Sequence, residues 1–283
     1  MHDLVNEYHI AVPTAFYDNE DLNTEATLQH IRNLYDQGVK SVMVCGTTGE
    51  QHSLTLAEKL QLLKSIDAAT FLPDDLEIIF GVASIRQKEA LQLAEKVNAS
   101  AKINGVLLGF SPYILPSQKE ARLYVEAIAK VIEKPIILYN NPRRTGFNPE
   151  LDTFAELIKV PNIIGIKDAG DSARIPELLS AAGKKIYVYS GGEIDLDKKI
   201  VLGANRLSSM AGNLYPTEVE AYFTDLLRGR ADKIKNAGIE EKIHNVFSDN
   251  PIIYIKNEIT THMQIATGIA RSPMGNQYPL NSM

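Results

Sequence analysis

The chain reads as an α/β fold, a (β/α)8 barrel with a C-terminal helical appendage, and three features of the sequence predict it. Eight short apolar runs recur along the chain, amphipathic stretches separate them, and the connections between the two are short. Strict strand–helix alternation of this kind implies a parallel sheet, and eight units favour a closed TIM barrel over an open doubly wound sheet. The 283 residues suit one barrel of about 250 residues with an extension.

Taken in order, strands are expected at 8–12, 41–44, 76–81, 105–109, 135–140, 163–167, 186–190 and 205–209. Helical stretches at 23–37, 55–69, 85–97, 117–132 and 149–160 lie between them. Thr55 precedes Glu58, and Ser117 precedes Glu120, with the spacing at which a hydroxyl and a carboxylate cap each other's orphan backbone amides. Asn148-Pro149 reads as an N-cap followed by proline at the first helical position. The barrel is expected to occupy 1–230. The remainder, 231–283, reads as extra helix broken at Asn250-Pro251 and packed on the barrel, because no Gly/Pro/Ser-rich linker sets it apart.

Charge and composition narrow the function classes. A net charge of −6 with no basic block argues against nucleic acid or an anionic membrane as partner. The single cysteine, Cys45, permits no intrachain disulfide, sits in a buried run, and is read as a small core hydrophobe; it fits a reducing cytoplasm. Asp3 and Glu7 near the start do not suit a signal peptide, and no stretch approaches the ~20 apolar residues of a membrane span, so a cytoplasmic location is expected. The six histidines show no paired metal spacing, and no Gly-x-Gly-x-x-Gly or Walker loop is present, so neither a metal nor a nucleotide cofactor is expected.

The chemistry concentrates at the carboxyl ends of the expected strands, where barrels place their sites. Ile163-Ile164-Gly165-Ile166-Lys167 reads as a buried parallel strand closed by an amine. Alternation puts Ile163, Gly165 and Lys167 on one face and Ile164 and Ile166 on the other, with the glycine clearing space beside the lysine. Partial desolvation of an ammonium lowers its pKa and frees the amine to attack a carbonyl; a lysine that simply ends a strand and points into water is the alternative. Gly46-Thr47-Thr48-Gly49-Glu50 follows the second run and offers backbone N–H groups and hydroxyls to a carboxylate, with Glu50 structural. Tyr139 shares a face with Ile137 and is a candidate acid/base. Gly191 and Gly192 leave room for the close approach of a ligand.

In order and spacing, the segments Gly46-Thr47-Thr48-Gly49-Glu50, Tyr139-Asn140-Asn141-Pro142-Arg143-Arg144-Thr145-Gly146 and Gly165-Ile166-Lys167-Asp168 resemble the dihydrodipicolinate synthase / N-acetylneuraminate lyase family of Schiff-base aldolases. Asn250-Pro251-Ile252 and Arg271-Ser272-Pro273-Met274 extend the resemblance into the tail. It implies a covalent imine between Lys167 and the ketone carbon of pyruvate or another 2-oxo acid, with no separate cofactor and Tyr139 as the acid/base. It further implies keto-acid and aldehyde substrates and a homo-oligomer, dimer or tetramer.

Two departures and one match bear on the substrate. Family synthases read Thr-Pro-Tyr-Tyr after strand four, and the second tyrosine completes a proton relay; here Ser111-Pro112-Tyr113-Ile114 puts Ile114 at the relay position, so either Tyr113 or a water takes over or the synthase reaction runs poorly. Arg144, next to Arg143, pulls the other way: in the synthases an arginine there holds the carboxylate of L-aspartate 4-semialdehyde, which a planar fork suits. Ser208 stands where an apolar residue would line the pyruvate pocket, and with Arg206 it hints at a more polar substrate, such as a 2-keto-3-deoxy sugar acid or N-acetylneuraminate. A keto-acid-binding relative without turnover is the remaining reading. Ser84, Lys88 and Leu56 do not match the lysine-feedback site of regulated members, so saturating lysine is expected to leave activity intact; a halved rate would refute this.

Overall fold

The computed structural model describes residues 3–230 and 233–275. Eight parallel strands close in sequence order: β1 (Tyr8–Ala11), β2 (Ser41–Val44), β3 (Glu77–Val82), β4 (Gly105–Gly109), β5 (Ile136–Asn140), β6 (Ile163–Asp168), β7 (Tyr187–Ser190) and β8 (Arg206–Ser209), with β1 paired to β8. Helices follow the strands: α1 (Thr24–Asp36), α2 (Leu56–Ala68), α3 (Gln87–Ala99), α4 (Gln118–Ala129), the single turn α5 (Pro142–Thr145) with α6 (Leu151–Ile158), α7 (Ile175–Ala182), α8 (Leu196–Val201) and α9 (Pro216–Leu227). The predicted barrel is therefore the observed one.

Both capping boxes form: Thr55 and Glu58, and Ser117 and Glu120, exchange side-chain and backbone bonds. The expected cap at Asn148 does not. Glu150 occupies the N-cap of α6; Asn148 Oδ1 instead accepts from Asn140 Nδ2 at 2.9 Å and from Arg174. A charged and an amide donor together outbid the backbone amides of one short helix.

The apolar side chains divide into two layers. A large cluster lies between strands and helices, and a small one, built on Leu4, Ala11, Met43, Ile79, Leu107, Ile137 and Tyr189, fills the barrel interior. Tyr139 packs against the interior cluster beside Ile137, as alternation predicts. Alternation fails once, and at an informative place. The β5–β6 register shifts between Ile136 and Ile137, which pair with Ile163 and Gly165. Ile163 therefore packs outward with Ile166, while Ile164 meets the interior cluster, the reverse of the predicted faces for those two residues. A bulge skips one residue and resets the parity of what precedes it. Gly165 is needed because β7 passes so close: a Cβ there would stand 2.0 Å from the Tyr187 carbonyl oxygen.

Beyond α9, helices α10 (Lys233–Val246) and α11 (Pro251–Met263) lie in the stretch set apart as an appendage. Asn250 caps α11 by accepting from Ile252 N and Ile253 N, with Pro251 in the first turn. Ile239, Ile243, Val246, Ile255 and Ile259 belong to the same outer cluster as the barrel helices. Among the described residues no helix is long and apolar enough to cross a membrane.

Candidate active site

Lys167 reaches the inside of the barrel from the carboxyl end of β6, paired to Tyr139 on one side and Tyr189 on the other. It is buried, and burial lowers its ammonium to about 8, the Glu193 carboxylate opposing the shift. Its Nζ donates to Ser208 Oγ at 2.8 Å and stands 5.1 Å from the centre of the Tyr139 ring. Ser208 thus works under the amine, on the strand two places away in the closed sheet. At neutral pH a tenth or so of such an amine is unprotonated, far more than of a solvated lysine.

The phenol of Tyr139 is held from two sides. Asn141 Nδ2 donates to it at 2.8 Å, and Thr47 Oγ1 lies 3.2 Å away. These groups border a cavity of about 310 Å³ at the carboxyl end of the barrel, walled also by Arg143, Arg144 and His52. Burial and the Arg144 charge depress the His52 imidazolium, the Glu50 carboxylate opposing them. The mouth is therefore cationic through its arginines.

The turn carrying Thr47 is fixed from below. Glu50 is wholly buried with φ +51° and accepts Lys256 Nζ at 3.0 Å and the backbone N of Arg271 at 2.8 Å. Lys256 spends its other donors on the carbonyls of Thr14 and Ile269. Arg271 adds bonds to the carbonyls of Glu20 and Ser53 and to the Glu58 carboxylate. Thr14 Oγ1 closes the turn on the Gly49 carbonyl at 2.7 Å. Two elements distant in sequence thereby hold one loop. Cys45, buried with its thiol pushed up to about 11, begins the same turn at φ +58°.

The other expected residues are placed as follows. Thr47, Tyr139 and Arg144 border the cavity. Thr48 is buried, at 3 % exposure, in the same turn. Gly191 gives its space to the chain rather than to a ligand: a Cβ there would meet the Ala169 Cβ at 3.0 Å. Tyr113 is 86 % exposed, so within one chain it does not join Tyr139. Arg206 lies at the opposite end of the barrel, where it stacks on Tyr187 and donates to the Val5 carbonyl. As the first residue of β8, it cannot reach the mouth.

Asn141, Glu193 and His9 were not singled out in the sequence. Glu193 is fully buried, its carboxyl pushed up by that burial; one oxygen accepts from Ser209 Oγ and from Met210 N and Ala211 N. His9 lies opposite Ser208 in the β1–β8 register, against the ring of Tyr189 at 5.2 Å, and burial with the charges of Lys167 and Arg206 keeps it neutral. A polar residue next to a double glycine was the signal available for Glu193.

A model of the dihydrodipicolinate synthetase family matches residues 5–278. The chain is 31 % identical over 219 residues to a 4-hydroxy-tetrahydrodipicolinate synthase from Ligilactobacillus salivarius, covering 77 % of this chain and 75 % of that one. It is 29 % identical over 268 residues to the Methanosarcina mazei enzyme of the same name, covering 93 % and 90 %. Among solved structures, the dihydrodipicolinate synthase of Acinetobacter baumannii complexed with pyruvate superposes with a TM-score of 0.83 at 28 % identity over 99 % of this chain and 94 % of that one. A Ruminococcus gnavus sialic acid aldolase shares the fold, with a TM-score of 0.84 at 20 % identity over 94 % and 88 %.

Proposed function

This chain belongs to the dihydrodipicolinate synthetase family, whose members are class I lyases, and from that premise we propose that it is a pyruvate-dependent Schiff-base enzyme closest to 4-hydroxy-tetrahydrodipicolinate synthase. The observation that carries the reading is Lys167: an amine buried inside the barrel, lowered to about 8, within 5.1 Å of a tyrosine ring.

The neutral amine of Lys167 attacks the ketone carbon of pyruvate, and the carbinolamine hydroxyl leaves as water with a proton from Tyr139, giving an iminium. The iminium draws electrons from the methyl C–H bond. Loss of that proton to the Tyr139 phenolate forms an enamine, whose carbon adds to the aldehyde carbon of L-aspartate 4-semialdehyde while the aldehyde oxygen takes the broken π pair and a proton from Tyr139. Hydrolysis of the product imine restores Lys167. In this scheme Thr47 and Thr48 hold the keto-acid carboxylate, Ser208 orients Nζ, and Arg144 grips the carboxylate of the second substrate. Gly191 shapes the loop beside them. Tyr113 has no part in the relay of its own chain. The substrate imine takes the place of any separate cofactor.

A second reading, a hydroxylated aldehyde from a 2-keto-3-deoxy sugar acid or N-acetylneuraminate, draws on the amides of Gln51 and Asn141 in the cavity wall. Arg206 lends it no support from the far end of the barrel. We further place the protein in the cytoplasm as a homo-oligomer, with 1–230 as the barrel and 231–283 as its extension.

Borohydride reduction in the presence of pyruvate, followed by peptide mass mapping, is expected to leave a reduced pyruvate adduct on Lys167. A folded protein without the adduct would refute the imine. A panel of aldehydes offered with pyruvate then separates the two substrates, and L-aspartate 4-semialdehyde is expected to give the fastest product formation.

A further inference from the structure

The phenol of Tyr139 has one proton to donate and two lone pairs to accept with. Its neighbour Asn141 Nδ2 can only donate, and does so at 2.8 Å. The phenol proton must therefore point elsewhere, and the only other partner within reach among the described residues is Thr47 Oγ1 at 3.2 Å. That contact alone leaves the donor undecided; the amide decides it. The chain of donors runs from Asn141 to Tyr139 to Thr47.

Asn141 forgoes another bond to do this. It sits at the N-cap of the one-turn helix α5, where an asparagine ordinarily accepts from the backbone amides of the first turn, yet it makes no such cap. The residue is 9 % exposed, and its side chain is turned to the phenol. Meanwhile the segment after β4 supplies the phenol with no hydroxyl: Ser111 Oγ donates to the Ser84 and Ile85 carbonyls, Ile114 has none, and Tyr113 is 86 % exposed.

We propose that Asn141 is the positioning residue of the Tyr139 relay, supplying from within the same chain the hydrogen bond that steers the phenol proton and stabilises the phenolate when that proton leaves. The inference rests on the reading of Tyr139 as acid/base and goes beyond it. An amide cannot carry a proton onward, so Asn141 polarises the relay and does not extend it. The donated bond is weak when the phenol is neutral and strong when it is charged, so it favours the states in which Tyr139 has given up its proton.

The test uses pyruvate alone, in D2O, with the exchange of its methyl protons followed by NMR. Exchange requires the imine and the deprotonation, and needs no second substrate. Asn141→Leu is expected to slow exchange at saturating pyruvate by roughly 10–100-fold, with half-saturation by pyruvate changed less than about threefold. Asn141→Asp, which keeps the shape but accepts where the amide donated, is expected to be as slow as Asn141→Leu. Asn141→Ser, which restores a donor, is expected to recover part of the rate. In a Tyr139→Phe background, Asn141→Leu is expected to add no further loss, which a merely structural role would not produce.

Exchange by Asn141→Leu within twofold of the wild type, or an equal loss with and without the Tyr139 hydroxyl, overturns the inference while leaving the function intact. If the wild type forms no borohydride-trapped adduct on Lys167, the underlying reading fails and this one fails with it.

Discussion

Lys167→Met is expected to abolish turnover and, at pH 7, to make the barrel more stable. Loss of the nucleophile removes the covalent route, and a fall on the order of 10^4-fold or more is expected. The stability gain comes from the same burial that activates the amine. Holding an ammonium at about 8 when its ordinary value is 10.5 corresponds to a penalty of about 3 kcal/mol wherever both folded and unfolded chains are protonated. Methionine has a similar length and no charge to desolvate. Loss of the bond to Ser208 Oγ offsets part of the gain, on the order of 1 kcal/mol.

The sign with pH follows from proton counting. Below pH 8 both states carry the proton and the penalty is complete. Between 8 and 10.5 the folded protein has lost it and the unfolded chain retains it, so wild-type stability rises with pH. The advantage of Lys167→Met should accordingly be constant below pH 8 and shrink above it. Urea unfolding at several pH values measures this. A methionine variant less stable than wild type at pH 7 would mean that the Ser208 bond outweighs desolvation. In the wild type, the rate of imine formation should climb tenfold per pH unit below 8 and level off above it.

Lys256→Met is the second large effect, and it runs the other way. The substitution strands Glu50, a wholly buried carboxylate, and leaves the carbonyls of Thr14 and Ile269 without their donor. Breaking one side of a buried pair costs about 3–5 kcal/mol, because the remaining charge has no water to turn to. Glu50 would keep the backbone N of Arg271. The damage should also reach the chemistry, since Glu50 belongs to the turn that presents Thr47 to Tyr139. A raised half-saturation for pyruvate is therefore expected, together with the lowered midpoint in denaturant. Lys256→Met combined with Glu50→Gln should recover part of the stability, because an amide tolerates burial better than an unpaired charge. A single Lys256→Met variant within 1 kcal/mol of wild type would show that the pair contributes little.

Much of this was legible from one dimension, and the misses share a cause. Lys167 and Tyr139 could be placed because strand alternation and barrel polarity convert sequence position into direction, whereas Arg144, in the turn after β5, came only from the family resemblance. The same rule misplaced Ile163 and Ile164, since a register shift against β5 leaves no mark in the sequence of β6. Ser208 was noticed as an odd polar residue, but its partner, the Lys167 amine, is fixed only when β8 comes round to close the sheet. Asn141 was not singled out, and Asn148 looked like a cap. For both, another side chain competed with the local backbone and won. Arg206 hinted at substrate because its residue type was read without its height along the strand.

The ion pair between Glu50 and Lys256 also sets an order of events during synthesis. Strands β1 to β8 end at Ser209, so every strand is made before Lys256 and Arg271 are. Until then Glu50 has neither of its partners, and the turn bearing Thr47 is tied only by local bonds such as that from Thr14 to Gly49. A nascent barrel can thus be closed before its binding turn is set. A chain stopped between Ser209 and Lys256 would hold every strand and still lack the pair that fixes its Thr47 turn.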